Sequence, residues 1–167
     1  MEDGSNRKTM KRFINIFTAF AVTICAVSCN KSETDVQKHL APELVGEWHL
    51  TEAAAEGVVI TSDIDIYLAI NSDCTFELYQ KSGSQSVRYD KFTGICQSSG
   101  DILYGEYNSG EPWASRYTFK IDEDKLTLKS YNRLEEQKYV KAEIPADIKD
   151  NANVITKSAA ATLAPIL

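Results

Sequence analysis

The chain has 167 residues, with 18 Lys and Arg against 24 Asp and Glu, a formal net charge of −6 at pH 7. That acidic balance argues against a nucleic-acid partner, which demands a basic footprint, and the length suits one domain with a real core better than two. The two histidines, His39 and His49, and the four cysteines form no ligand-spaced cluster, so no metal and no cofactor is expected.

Lys11 and Arg12 precede an apolar run from Phe13 to Val27 that ends Ala26-Val27-Ser28-Cys29. A basic start, a short apolar core and small residues before a cleavage point compose a secretory signal. The cysteine directly after the small residues resembles the lipobox of bacterial lipoproteins, although Ala26 stands where most lipoboxes carry Leu. The resemblance implies residues 1–28 as signal peptide and Cys29 as the acylated, palmitate-bearing first residue of the mature chain. An uncleaved anchor is the rival, but Phe13–Ser28 is sixteen residues and includes Asn15, Thr18 and Thr23, whereas a spanning helix needs roughly 20 mostly apolar residues. Met10 is a more ordinary signal start than Met1, whose Glu2 and Asp3 lie ahead of the basic region. The expected location is the cell envelope of a Gram-negative bacterium, as an outer-membrane lipoprotein, periplasmic or surface-facing, with the membrane as partner through the lipid. The leader takes away Arg7, Lys8, Lys11 and Arg12 against two acids, leaving a mature chain at −8 whose remaining thiols are Cys74 and Cys96.

Residues 29–41 read as the lipidated cysteine and a polar tether. Glu33 and Asp35 resemble the export tag of some surface lipoproteins, and a solvated linker has the same composition. From Leu44 the dominant period is two: Ile64, Ile66, Leu68 and Ile70 on one face, then Cys74, Phe76 and Leu78, then Tyr117, Phe119 and Ile121, then Leu126 and Leu128. Strict alternation marks antiparallel sheet with one face on a core. Turn residues such as Asn71-Ser72-Asp73, Ser98-Ser99-Gly100-Asp101 and Asn108-Ser109-Gly110 punctuate the runs. Eight strands are expected near 45–53, 63–70, 74–81, 87–97, 102–108, 116–122, 125–131 and 136–142. An all-β, eight-stranded antiparallel up-and-down barrel closes such a meander with no exposed edge. Residues 42–150 are the expected domain. One or two helical turns follow over Ala146–Asn151, and 151–167 is a tail, frayed or folded back on the barrel.

The first strand reads Leu44-Val45-Gly46-Glu47-Trp48. Its Gly-x-Trp resembles the lipocalin signature, in which the tryptophan floors the barrel. Asp73-Cys74-Thr75-Phe76-Glu77-Leu78-Tyr79-Gln80, Gly105-Glu106-Tyr107 with Ser109-Gly110-Glu111-Pro112-Trp113, and Tyr139-Val140-Lys141 ahead of Ile144-Pro145 are similar to runs in the small lipocalin-like lipoproteins of gut bacteria. The resemblance spans about residues 42–150 and implies a lipocalin-like barrel. Cys74 stands where those relatives carry a turn glycine, and Lys141 where an arginine would cover Trp48.

No Gly-x-Ser-x-Gly elbow, phosphate loop or His-Glu-x-x-His motif is present, so a non-enzymatic protein is expected. Asp63 and Asp65 share a face and are a weak cation candidate. The candidate ligand-binding residues are Trp48, Phe76, Phe92, Trp113, Tyr117 and Phe119, which either line an apolar pocket or fill it. An eight-strand barrel is just wide enough for either. Trp113, on a barrel-end loop, either latches that loop to the rim or meets a ligand. Cys74 and Cys96 are a candidate disulfide, because centring the hairpin turn on Ser84-Gln85-Ser86 pairs them and sets Phe76 opposite Gly94 and Leu78 opposite Phe92. Two functions stay open: a lipid-anchored binder of a small apolar or amphipathic ligand, and a packed barrel that binds an envelope protein or inhibits a protease.

Overall fold

The computed structural model describes residues 39–59, 64–82, 88–156 and 165–167. Cys29, the expected signal peptide, Asp63 and the expected Ser84-Gln85-Ser86 turn lie outside the described residues.

Eight antiparallel strands close on themselves. They are β1 (Gly46–Ala55), β3 (Ile64–Ile70), β4 (Thr75–Ser82), β5 (Asp90–Ser99), β6 (Ile102–Tyr107), β7 (Tyr117–Asp122), β8 (Lys125–Ser130) and β9 (Glu135–Lys141). Sequence neighbours pair throughout, β1 joins β9, and β5 joins β6, so the ring has no free edge. The alternation of the sequence becomes an alternation of burial. Along β5, Phe92, Gly94, Cys96 and Ser98 turn inward while their neighbours are half-buried. The β4–β5 register sets Phe76 opposite Gly94 and Leu78 opposite Phe92, as the hydrophobic pattern requires. Two short strands lie off the ring: β2 (Val58–Val59) extends β1, and β10 (Asn153–Val154) adds in parallel to the start of β5. Neither was foreseen, since two-residue strands carry no periodicity.

One end of the barrel is closed. A 3-10 turn over Pro42–Leu44 brings Leu44, fully buried, beneath Trp48, whose Nε1–H donates to the Leu44 carbonyl at 3.0 Å. Gly46 adopts φ +151°, a backbone state that side-chain-bearing residues avoid, and an added Cβ there would come within 3.3 Å of Lys141. Lys141 pairs with Trp48 across β1 and β9 and sets its Nζ 5.7 Å from the ring centroid. The lysine therefore covers the tryptophan as an arginine would, by cation–π attraction. Residues 39–41 of the expected tether already lie against this end: Ser98 N–H donates to the His39 carbonyl, and Ala41 N–H to Ser98 Oγ at 2.7 Å.

Helix α1 (Ala146–Asn151) covers the outer face of β3 and β4. Ile148 and Ile144 pack on Ala69 and Tyr79, forming a second small cluster outside the ring. Glu47 ties the segment down, accepting from Ile144 N–H at 2.6 Å and from Lys149 Nζ at 2.8 Å.

Because Trp48 is only 1% exposed, Trp48→Ala is expected to cost about 3–5 kcal/mol of stability through a large unfilled cavity. Urea unfolding measures it. A midpoint close to that of the parent would show that the tryptophan does not floor the barrel.

Candidate functional site at the open end of the barrel

The opposite end is open where β6 and β7 part. Only Ile102–Thr118 and Leu103–Tyr117 pair between them, and beyond that the loop 108–116 fills the gap. Trp113 N–H donates to the Gly105 carbonyl at 2.9 Å, and the ring turns into the barrel, 5% exposed. It can do so because position 105 lacks a side chain: a Cβ there would fall 2.5 Å from the ring. Position 94 is tighter still, with the Glu106 carbonyl 2.0 Å from where a Cβ would sit. Small residues on β5 and β6 thus make room for three aromatics. Phe76 meets Trp113 edge-on at 5.0 Å and Tyr107 at 5.6 Å, and Trp113 meets Tyr117 at 6.2 Å. Trp113 latches its loop to the barrel wall. Its Nε1–H, buried, has no hydrogen-bond partner among the described residues.

The structure brings Phe76, Phe92, Trp113 and Tyr117 into one buried cluster, with Phe119 half-buried against it. Trp48 belongs to the same core from the closed end. Sequence reasoning missed four further inward groups: Gln80, Tyr107, Gln137 and Tyr139. A signal for three of them existed. Gln80 is in phase with Phe76 and Leu78, and Gln137 with Tyr139, so alternation alone places them inside.

Of the two expectations for the tail, frayed or folded back on the barrel, residues 165–167 follow the second, and these groups hold them inside it. Pro165, Ile166 and Leu167 enter the open end, and Leu167 is 1% exposed within the core. Tyr107 O–H donates to the Leu167 main-chain oxygen at 2.8 Å. Tyr139 O–H donates to Gln137 Oε1 at 2.6 Å, which turns the Gln137 amide nitrogen toward the Ile166 carbonyl. Beside Pro165 and Ile166 a recess of about 210 Å³ remains at the rim, lined by Ala53–Ala55, Arg133 and Glu135 among others. Burial pushes the Tyr117 phenol up to about 12, the Glu135 charge adding to it, and pushes Tyr107 and Tyr139 up as well. All three phenols are therefore neutral donors at physiological pH.

The outer face carries a separate polar group. Asp65 accepts from Tyr89 O–H and lies 2.8 Å from His49 Nε2, while His49 stacks on Tyr67 with centroids 4.3 Å apart. Asp65 is thus engaged with a phenol and an imidazole. No group of three or more potential metal ligands occurs among the described residues. Cys74 takes φ +66°, the left-handed state that glycine adopts most readily. Cys96 N–H donates to the Cys74 carbonyl at 2.8 Å, and both side chains are buried thiols. Burial, with the neighbouring Cys74, pushes the Cys96 thiol up to about 12.

Two outcomes are expected from this packing. Gly105→Ala should destabilise the protein by about 1–3 kcal/mol, since the methyl must displace the Trp113 ring. Chemical unfolding monitored by tryptophan fluorescence checks it, and an unchanged midpoint would mean the ring is not wedged there. The second concerns alkali. An unfolded tyrosine titrates near 10, below the folded value of Tyr117, so its contribution is whole below about pH 10 and is lost as pH rises toward 12. Stability should fall across that window, and more gently in Tyr117→Phe. Equal slopes in the two proteins would contradict the burial of this phenol.

A search of the curated proteins finds no match to this sequence. Among solved structures, the lipoprotein YedD from Klebsiella pneumoniae subsp. pneumoniae MGH 78578 is similar at 13% identity and TM-score 0.45, over 70% of this chain and 88% of that one. The REP1-NXSQ fatty acid transporter is similar at 12% identity and TM-score 0.37, over 63% and 100%. Echinococcus granulosus fatty-acid-binding protein 1 is similar at 10% identity and TM-score 0.34, over 60% and 99%. The family model of the lipocalin-like domain matches residues 44–147, from the buried Leu44 of the closed end to the first turn of α1. That match covers more than half of the chain, and the protein belongs to the lipocalin-like domain family.

Proposed function

We propose that the protein is a lipid-anchored protein of the bacterial envelope that holds a small apolar or amphipathic ligand at the open end of its barrel. The observation that carries this is the seating of Ile166 and Leu167. They are not part of the wall, yet they lie among its inward side chains, so the interior has room for an apolar guest. The inward titratable groups nearby are phenols held protonated, which suits them to binding rather than to proton transfer near neutrality. Anchoring rests on the Cys29 motif alone.

A second use has its own support. Val58, Val59 and Leu134 are more than half exposed at the same end, and Glu56 N–H joins the Leu134 carbonyl at 2.7 Å. Such a tip suits contact with another envelope protein.

Native mass spectrometry of the full-length protein, extracted from bacterial membranes in mild detergent, separates the two. A retained small molecule is expected. An unliganded chain that instead carries a stoichiometric protein partner would overturn the ligand-binding proposal in favour of the second. In the same cells Cys29→Ser should abolish fatty-acid labelling and membrane fractionation, and undiminished labelling would remove the anchor.

We further propose that Cys74 and Cys96 form a disulfide in the oxidising envelope, contributing at most about 3 kcal/mol by closing a loop of about 20 residues. Unreduced peptide mass mapping should recover the two cysteines joined. Quantitative alkylation of both in denatured, unreduced protein would exclude the bridge.

A further inference from the structure

A cavity of about 460 Å³ lies outside the ring, between the outward residues of β5 and β6 and the turn that follows β8. Its walls include Gln97, Tyr104, Glu106, Arg116, Tyr131 and Asn132, and small-molecule sites typically hold about 300–1,000 Å³. Hydrogen bonds fix the wall made by Arg116, Tyr131 and Asn132. Tyr131 N–H donates to the Arg116 carbonyl at 2.8 Å. Ser115 O–H donates to Asn132 Oδ1 at 2.6 Å, and the Ser130 hydroxyl lies 2.7 Å from Ser115 Oγ. With its oxygen engaged, Asn132 keeps its amide N–H groups uncommitted among the described residues. Tyr131 is 72% exposed, so an aromatic ring stands in solvent on a pinned turn.

We propose that this cavity is a binding site for a neutral oligosaccharide. The Tyr131 ring receives the C–H face of a sugar, and Gln97, Glu106, Arg116 and Asn132 exchange hydrogen bonds with its hydroxyls. The site is separate from the barrel interior and does not depend on it: a chain that holds nothing inside still carries it.

The ligand class follows from which groups are uncommitted. Among the described residues the Gln97 amide and the Glu106 carboxylate make no hydrogen bond or ion pair. Arg116 sets its guanidinium 5.5 Å from the centre of the Tyr104 ring and has no carboxylate partner. Donors and acceptors are thus both on offer, on flat, forked side chains. A sugar hydroxyl is donor and acceptor at once, so neighbouring hydroxyls can serve both kinds. The negative face of an aromatic ring, in turn, attracts the C–H edge of a sugar.

Other guests fit less well. A lipid chain would cover these polar groups without pairing them, which costs their desolvation. A phosphate or sulfate would meet one guanidinium but also the Glu106 carboxylate in the same cavity, a like-charge contact. A peptide strand cannot add to β6, because the chain's own loop has taken that edge. Trp113 N–H donates to the Gly105 carbonyl at 2.9 Å, Tyr107 N–H donates to the Glu111 carbonyl at 2.8 Å, and Glu106 bridges to Pro112 between them.

The test applies the full-length chain, in a detergent whose headgroup is not a sugar, to an array of neutral, carboxylated and sulfated oligosaccharides. Retention by neutral members is expected. Their affinity should fall about tenfold or more in Tyr131→Ala, which removes the aromatic face, and likewise in Glu106→Ala, which removes an acceptor. Both side chains are exposed, so the fold should survive either change, and an unaltered near-ultraviolet circular dichroism spectrum verifies it. Retention by no member overturns the proposal. So does retention confined to carboxylated or sulfated members, or affinity for neutral members undiminished in either variant. None of these outcomes bears on a ligand held inside the barrel, which the native mass measurement reads separately.

Discussion

The interior of an eight-strand ring must be filled, because it is just wide enough for side chains to meet across it and a void there forfeits packing on every side. The rest of the structure follows from how this chain meets that constraint. At the closed end Trp48 does most of the filling, held by the Leu44 carbonyl beneath and Lys141 across the strand pair. At the open end the strands splay and the wall alone does not suffice. Trp113 comes in from a loop over Gly105, Phe76 and Tyr107 pack around Gly94, and Leu167 completes the core. Small residues on two adjacent strands and a segment from beyond the ring solve the same problem together.

Apart from the Trp113 Nε1–H, the polar groups of this interior enter in matched sets. Gln137 is oriented by Tyr139 and bonded to Ile166, and Gln80 takes the amide of the same residue. Buried amides and phenols are costly when unpaired, so their presence implies an occupant with complementary donors and acceptors. The chain's own segment meets that need.

Much of the fold was legible in the sequence because alternation is a strong signal wherever one face is buried. The eight strands fall within a few residues of their expected spans, and the pairing of Phe76 with Gly94 is the one expected from centring the hairpin turn on Ser84-Gln85-Ser86, which the hydrophobic phase supports. Phe76, Phe92 and Tyr117 were legible as inward candidates for the same reason, whereas Trp113 stood out only as a tryptophan on a barrel-end loop, fit either to latch that loop or to meet a ligand. What was not legible depends on contacts distant in sequence. Tyr79 sits on an outward position, yet Ile148 of α1 buries it, and no local pattern places a six-residue helix over a particular pair of strands. The insertion of Ile166 and Leu167 likewise reflects what the barrel lacks, not any property of the alanine-rich stretch before them. Gln80 and Gln137 carried a signal in their phase, overshadowed because glutamine on a strand is ordinarily solvated.

The central claim is that Ile166 is held inside the barrel by buried side chains. Amide hydrogen exchange of the full-length protein, resolved by residue, tests it most directly. The account predicts that the Ile166 N–H is protected to nearly the same degree as the central β4 and β5 amides, because Gln80 shields it within the core. Exchange of that amide at the rate of an unstructured peptide, in a protein whose strands remain protected, would contradict it.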